Sequence, residues 1–118
     1  MKRDPRAFLN DVIEAGQAIM EAVDGISLDD YENSRLIRSS VEREFITIGE
    51  ALKQLLQCDQ ALLTEIQQSP QIISFRNKLT HEYDRVDDAL VWGVIQKSLS
   101  PLRATCSALI DSLQREEG

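Results

Sequence analysis

Apolar residues recur along this chain at helical spacing, and no stretch alternates as a half-buried strand would. Asp4-Pro5 reads as a helix N-cap followed by proline at the first helical position. Phe8, Val12, Ala15, Ile19 and Ala22 follow at intervals of three and four, which predicts an amphipathic helix of about five turns ending near Asp24-Gly25. Ser27-Leu28-Asp29-Asp30 restarts the chain with a box-like cap, an acidic residue three positions after the serine. Ile37, Val41, Phe45, Ile48, Leu52 and Leu55 form the next stripe, and no proline interrupts Tyr31 to Gln57. The second helix should therefore be the longest, at roughly 25–28 residues. Gly49 lies inside it, where glycine costs about 1 kcal/mol relative to alanine, and close packing against another helix is the plain explanation.

Asp59 caps a short helix carrying Leu62, Leu63 and Ile66, which ends by Gln68. Ser69-Pro70 repeats the pairing of cap and first-turn proline and opens a helix with Ile72, Ile73, Phe75 and Leu79 on its apolar side. Tyr83-Asp84-Arg85-Val86 reads as a loop, and Asp87 as the cap of the last helical segment. There Val91, Ile95, Leu99, Leu102, Cys106, Leu109 and Leu113 repeat at three and four, with Pro101 inside the pattern, so a kink or break is expected near Leu99-Ser100. The tail from Arg115 to Gly118 should fray. The fold class is all-α: one domain over residues 1–118, most simply an antiparallel bundle of four to five helices.

Composition narrows the function classes. At 118 residues the chain can bury one modest core. Its apolar runs are too short to span a bilayer, and the N-terminus leads into a polar, amphipathic stretch rather than a signal core. A cytoplasmic protein away from membranes is the expectation. Cys58 and Cys106 stand far apart with no His or Cys at ligand spacing, so neither a metal nor another cofactor is expected. Cys106 falls on the apolar stripe and reads as a reduced core thiol. The net charge of −7 argues against broad, backbone-driven nucleic-acid binding, DNA above all, while leaving room for a small, locally basic cleft.

Candidate chemistry concentrates in Arg76-Asn77-Lys78-Leu79-Thr80-His81-Glu82-Tyr83, which holds an arginine, an amide, the only histidine and a tyrosine. On a helix Asn77 and His81 stack on one face and Arg76 and Tyr83 share another, while Arg76 and His81 lie roughly 140° apart around the axis. The pair could converge on one ligand if the helix ended near Thr80. Arginine can hold a phosphate bidentately and stabilise charge that develops during transfer. An imidazole side chain exchanges protons near neutral pH. Cleaving RNA without a metal calls for a base at the 2′-hydroxyl and an acid at the leaving 5′-oxygen, yet one chain has one histidine. A two-fold dimer would supply two histidines and two arginines. Against this stands the bland alternative, in which Arg, His and Tyr near a helix end only cap and pack.

The same eight residues resemble the R-N-x-L-x-H-x-Y form of the HEPN motif, and more narrowly the HepT-like toxins of prokaryotic HepT–MntA toxin–antitoxin systems. Val41-Glu42-Arg43 through Ile48-Gly49-Glu50-Ala51 is similar to that family's long-helix signature. Tyr83-Asp84-Arg85-Val86-Asp87 is similar to its continuation, and Val91-Trp92 with Leu99-Ser100-Pro101-Leu102 to its final helix. The similarity runs from about Phe8 to Leu113. It implies an all-α homodimer whose paired motifs form a metal-independent ribonuclease site, with Arg76 and His81 catalytic and Asn77 in support. It also implies a cognate MntA-type nucleotidyltransferase antitoxin that transfers AMP to Tyr83. Many relatives carry a tryptophan shortly before the arginine; here the approach is Ser69-Pro70-Gln71-Ile72-Ile73-Ser74-Phe75. Glu50 could partner Arg76 or His81 or simply face solvent. The alternative from another class is a non-catalytic HEPN module that binds a nucleotide or presents Tyr83 to a nucleotidyltransferase.

Overall fold

A computed structural model describes residues 3–82, 84 and 86–117, and all seven regular elements among them are α-helices. They are α1 (Pro5–Ala22), α2 (Leu28–Glu32), α3 (Arg35–Cys58), α4 (Gln60–Thr64), α5 (Ser69–His81), α6 (Asp88–Lys97) and α7 (Leu99–Glu117). The all-α expectation holds; the helices among the described residues number seven rather than four to five, because α2 stands apart from the long helix and the last segment divides into α6 and α7. Asp4 caps α1 by accepting from the Arg6 N–H at 2.9 Å. Ser27 and Asp30 form a reciprocal capping box at 3.1 Å each way. Gly25 turns the chain between these two helices with a positive φ of 74°, a conformation that glycine adopts without a Cβ clash.

Two local expectations are corrected. The long helix begins at Arg35, not at Tyr31, and has 24 residues. The chain breaks at Asn33-Ser34, where the Asn33 amide donates to the Asp29 carbonyl and the Ser34 hydroxyl accepts from the Ile37 N–H. In one continuous helix Tyr31 would lie about 80° around the axis from Val41. The break turns its ring inward, fully buried and 5.6 Å from the Trp92 ring. Burial raises the Tyr31 hydroxyl well above the usual tyrosine range, and the Glu42 and Asp88 charges add to the shift.

Ser69 is not a cap. It is the first residue of α5, buried, and its hydroxyl donates to the Ile66 carbonyl at 2.8 Å, closing the turn that precedes the helix. The break expected near Leu99-Ser100 is present, at Ser98, whose N–H still bonds the Val94 carbonyl. Pro101 becomes the third residue of α7, where first-turn N–H groups have no helical partner in any case.

α3 is the central element. Val41, Phe45, Ile48, Leu52 and Leu55 are fully buried along it, and it packs on α1 and on α5. α7 lies against the other side of α1 and runs antiparallel to it. Arg103 near the start of α7 donates to Gln17 near the end of α1, while Glu117 at the far end pairs with Arg6. Phe45 of α3 meets Phe75 of α5 edge to face at 5.1 Å, which seats the predicted functional helix on the long one. No helix among the described residues is long and apolar enough to cross a membrane.

Burial also separates the two thiols. Cys106 is completely buried and its thiol is pushed up to about 12, whereas Cys58 is half-buried at the end of α3. The thiolate is the reactive form. Iodoacetamide at pH 8 should therefore add one adduct to the folded protein, at Cys58, and a second only after denaturation; intact-mass and peptide analysis read both.

Candidate active site

α5 carries Arg76, Asn77 and His81 in a single uninterrupted helix, with His81 as its last residue. The helix does not end at Thr80, so the expected route to convergence within one copy is not taken. Thr80 instead donates its hydroxyl to the Arg76 carbonyl at 2.9 Å and stays within the turn. Ile72, Phe75 and Leu79 bury one face of α5. Arg76 is offset by one residue from Phe75, at the edge of that face, and points toward α3. Asn77 and His81 are exposed and lie farther around the helix.

Arg76 is the best-held side chain of the group. Its side chain is only 17% exposed, and Nη2 donates to Glu50 Oε2 of α3 at 2.9 Å. Nη1 donates to the Asn77 side-chain oxygen at 3.1 Å. Nε is buried and has no partner among the described residues. Glu50 is itself tied, one turn along α3, by the Gln54 amide, which donates to its other oxygen at 3.2 Å. Of the two readings open for Glu50, the structure supports the ion pair with Arg76.

Gly49 explains how α5 comes so close. A Cβ built on Gly49 would stand 2.2 Å from the Arg76 Cβ and 2.5 Å from its Cγ. The arginine stem lies across bare backbone, and the guanidinium then reaches the next residue, Glu50. Close packing is what a glycine at this helix-interior position predicts, but the residue packed on it is not evident from the position alone. The signal was available in Gly49-Glu50, a helix-interior glycine beside a carboxylate, with Gln54 four residues on. Among the described residues the His81 side chain makes no hydrogen bond, and it shares the last turn of α5 with Lys78. Tyr83, expected to carry the modification, and Arg85, two residues on, lie outside the described residues.

Chemically, the site offers an anchored cation, an amide and an exposed imidazole on one short helix, which suits an anionic ligand with a transferable proton.

Comparison with known proteins points the same way. The protein named "Putative RNase MJ1380" of Methanocaldococcus jannaschii is 26% identical over 102 residues, covering 86% of this chain and 93% of its own. "Putative RNase TTE0752" of Caldanaerobacter subterraneus subsp. tengcongensis is 27% identical over 115 residues, covering 98% of this chain and 99% of its own. "Probable ribonuclease HepT" of Thermococcus cleftensis is 29% identical over 103 residues, covering 87% of this chain and 93% of its own. No solved structure gives a significant match. The family model described as "Ribonuclease HepT-like" matches residues 12–109, a span that takes in α3 and all of α5. The chain belongs to the HepT-like ribonuclease family.

Proposed function

We propose that this protein is a metal-independent endoribonuclease whose site is completed by a second copy of the same chain. The observation that carries this reading is the geometry of α5. Arg76 is held against α3, while the only histidine projects from the same straight helix roughly 140° around the axis. One copy thus supplies one imidazole and an arginine that faces elsewhere. Two copies meeting at α5 would supply two of each across a shared cleft.

The reaction follows from those groups. One His81 takes the proton from the ribose 2′-hydroxyl, whose oxygen attacks the adjacent phosphorus. The bond to the 5′-oxygen breaks, and the second His81 protonates that leaving oxygen. Arg76 stabilises charge on the non-bridging oxygens as the transition state forms, and Asn77 adds a neutral donor. The products are a 2′,3′-cyclic phosphate and a 5′-hydroxyl. Water takes no part in this step, and neither does a metal.

Such activity would make the protein a toxin in need of restraint, and Tyr83 is the residue proposed to receive it from a cognate nucleotidyltransferase. The tyrosine oxygen attacks the α-phosphate of ATP, pyrophosphate leaves, and the hydroxyl proton is lost. The added phosphate would compete for Arg76 and block RNA entry.

The purified protein is expected to cut single-stranded RNA in the presence of EDTA and to leave 2′,3′-cyclic phosphate ends, read by their resistance to 3′-end ligation until the ring is opened and the phosphate removed. Products with 3′-hydroxyl ends, or cleavage that EDTA abolishes, would contradict the mechanism. Nucleotide binding with RNA left intact would favour the non-catalytic module. Intact mass after co-expression with a nucleotidyltransferase should rise by one or more AMP units, and the gain should vanish in Tyr83→Phe.

A further inference from the structure

Four side chains form a directional chain across the α3–α5 contact. The Gln54 amide donates to Glu50 Oε1; Glu50 Oε2 accepts from Arg76 Nη2; Arg76 Nη1 donates to the Asn77 side-chain oxygen. Each link constrains the next. A guanidinium has only donors, so Asn77 must turn its oxygen toward Arg76. Its Nδ2 group, with two N–H donors, is therefore left on the outward side of an exposed residue. Arg76 contributes a further donor that the fold does not satisfy, the buried Nε–H. The Nε–H is shielded from solvent, so an anion meets the exposed part of the guanidinium, and the Nε–H reports on how that group is placed.

We propose that Glu50 is a positioning residue for the Arg76–Asn77 pair. It fixes the guanidinium so that the Asn77 carboxamide presents its N–H donors to the RNA phosphate, and its carboxylate competes with that phosphate for Arg76. Gln54 steadies Glu50 from the next turn. The inference rests on the ribonuclease reading above but makes a claim of its own about which groups touch the anion and what aligns them.

The two roles of Glu50 predict opposite effects. In Glu50→Gln the side-chain oxygen can still accept from Arg76 Nη2, and Gln54 can reverse its own amide to match. Alignment is kept and the competing negative charge is lost. For RNA cleavage, kcat should stay within about threefold of wild type while KM falls, because uniform binding improves. In Glu50→Ala the guanidinium loses its anchor. Here kcat should drop about tenfold or more with no rise in KM, the pattern of a lost transition-state contact.

The test pairs these kinetics with an observation that does not depend on catalysis. Side-chain NMR of the full-length protein, labelled with nitrogen-15, follows the Asn77 amide and the Arg76 Nε–H during titration with inorganic phosphate. In wild type and Glu50→Gln both signals should shift together. In Glu50→Ala the Asn77 response should be lost, while circular dichroism shows the helical content unchanged. The proposal is overturned if Glu50→Ala keeps wild-type kcat and the wild-type Asn77 response. Equal impairment of Gln and Ala variants would also overturn it, since charge alone would then matter. If wild type cleaves no RNA, the ribonuclease reading fails, and the phosphate titration still decides the positioning claim.

Discussion

Replacing His81 by alanine is expected to lower the rate of RNA cleavage by about 10²–10⁴-fold, the usual contribution of a positioned general acid or base. The fold should not change, because His81 is exposed, ends its helix and has a side chain that makes no hydrogen bond among the described residues. The sharper form of the experiment mixes wild-type and His81→Ala subunits after partial denaturation and refolding. If one His81 acts as base and the other as acid in a shared cleft, a mixed dimer has only half of the pair and should be nearly inactive. Activity then follows the square of the wild-type fraction. With a ninefold excess of the variant, a fixed amount of wild type should retain about one tenth of its activity. Activity that stays proportional to the wild-type amount would show that each copy carries its own complete site. Inactivity of wild type alone would point instead to the nucleotide-binding alternative. Arg76→Ala should also suppress cleavage, but it disturbs the ion pair with Glu50 and the stem packed on Gly49, so it reads less cleanly than His81→Ala.

Much of the fold was legible because it is written in local code. The three-and-four spacing of Val41, Phe45, Ile48, Leu52 and Leu55 gave the central helix, and all five are fully buried. Asp4, Asp59 and Asp87 cap where their spacing said they would. The misses share a cause. A helix can break without proline when side chains satisfy the freed backbone groups, as Asn33 and Ser34 do, and when the break lets a large residue such as Tyr31 reach the core. Ser69 looks like a cap from its neighbour Pro70, but the preceding turn needed its hydroxyl more. At the site, the residue types and the angular mismatch between Arg76 and His81 followed from one-dimensional spacing. What Glu50 does could not be read that way, because its partner lies 26 residues along the chain and the approach depends on which face of α3 meets α5. The resemblance to HepT-like proteins supplied the family before any geometry did. The geometry in turn gave the glycine and the glutamate of that signature a physical task.

Among the described glycines, Gly49→Ala should be the most damaging methyl addition. The usual expectation for glycine in a helix interior is the reverse: alanine there gains about 1 kcal/mol from helix propensity alone. At this position the new Cβ would sit 2.2 Å from the Arg76 Cβ, far inside van der Waals contact. The clashing atom belongs to the base of the side chain, so no rotation about χ1 of Arg76 removes it. α5 would have to shift away from α3 as a body, opening the contact between Phe45 and Phe75 and lengthening the pair between Arg76 and Glu50. Overpacking of this kind costs about 1–3 kcal/mol, which offsets the propensity gain and leaves the variant modestly destabilised. The catalytic cost should be larger, because displacing a transition-state contact by about 1 Å can cost 10²-fold in rate. Denaturant unfolding and RNA-cleavage kinetics on the same sample separate the two. A variant as stable as wild type and within a few-fold of its rate would mean that α5 is not seated on Gly49 in solution. Gly93, where an added methyl would meet nothing within 4 Å, supplies the control. Gly93→Ala should leave the rate unchanged and gain stability of the size that helix propensity predicts.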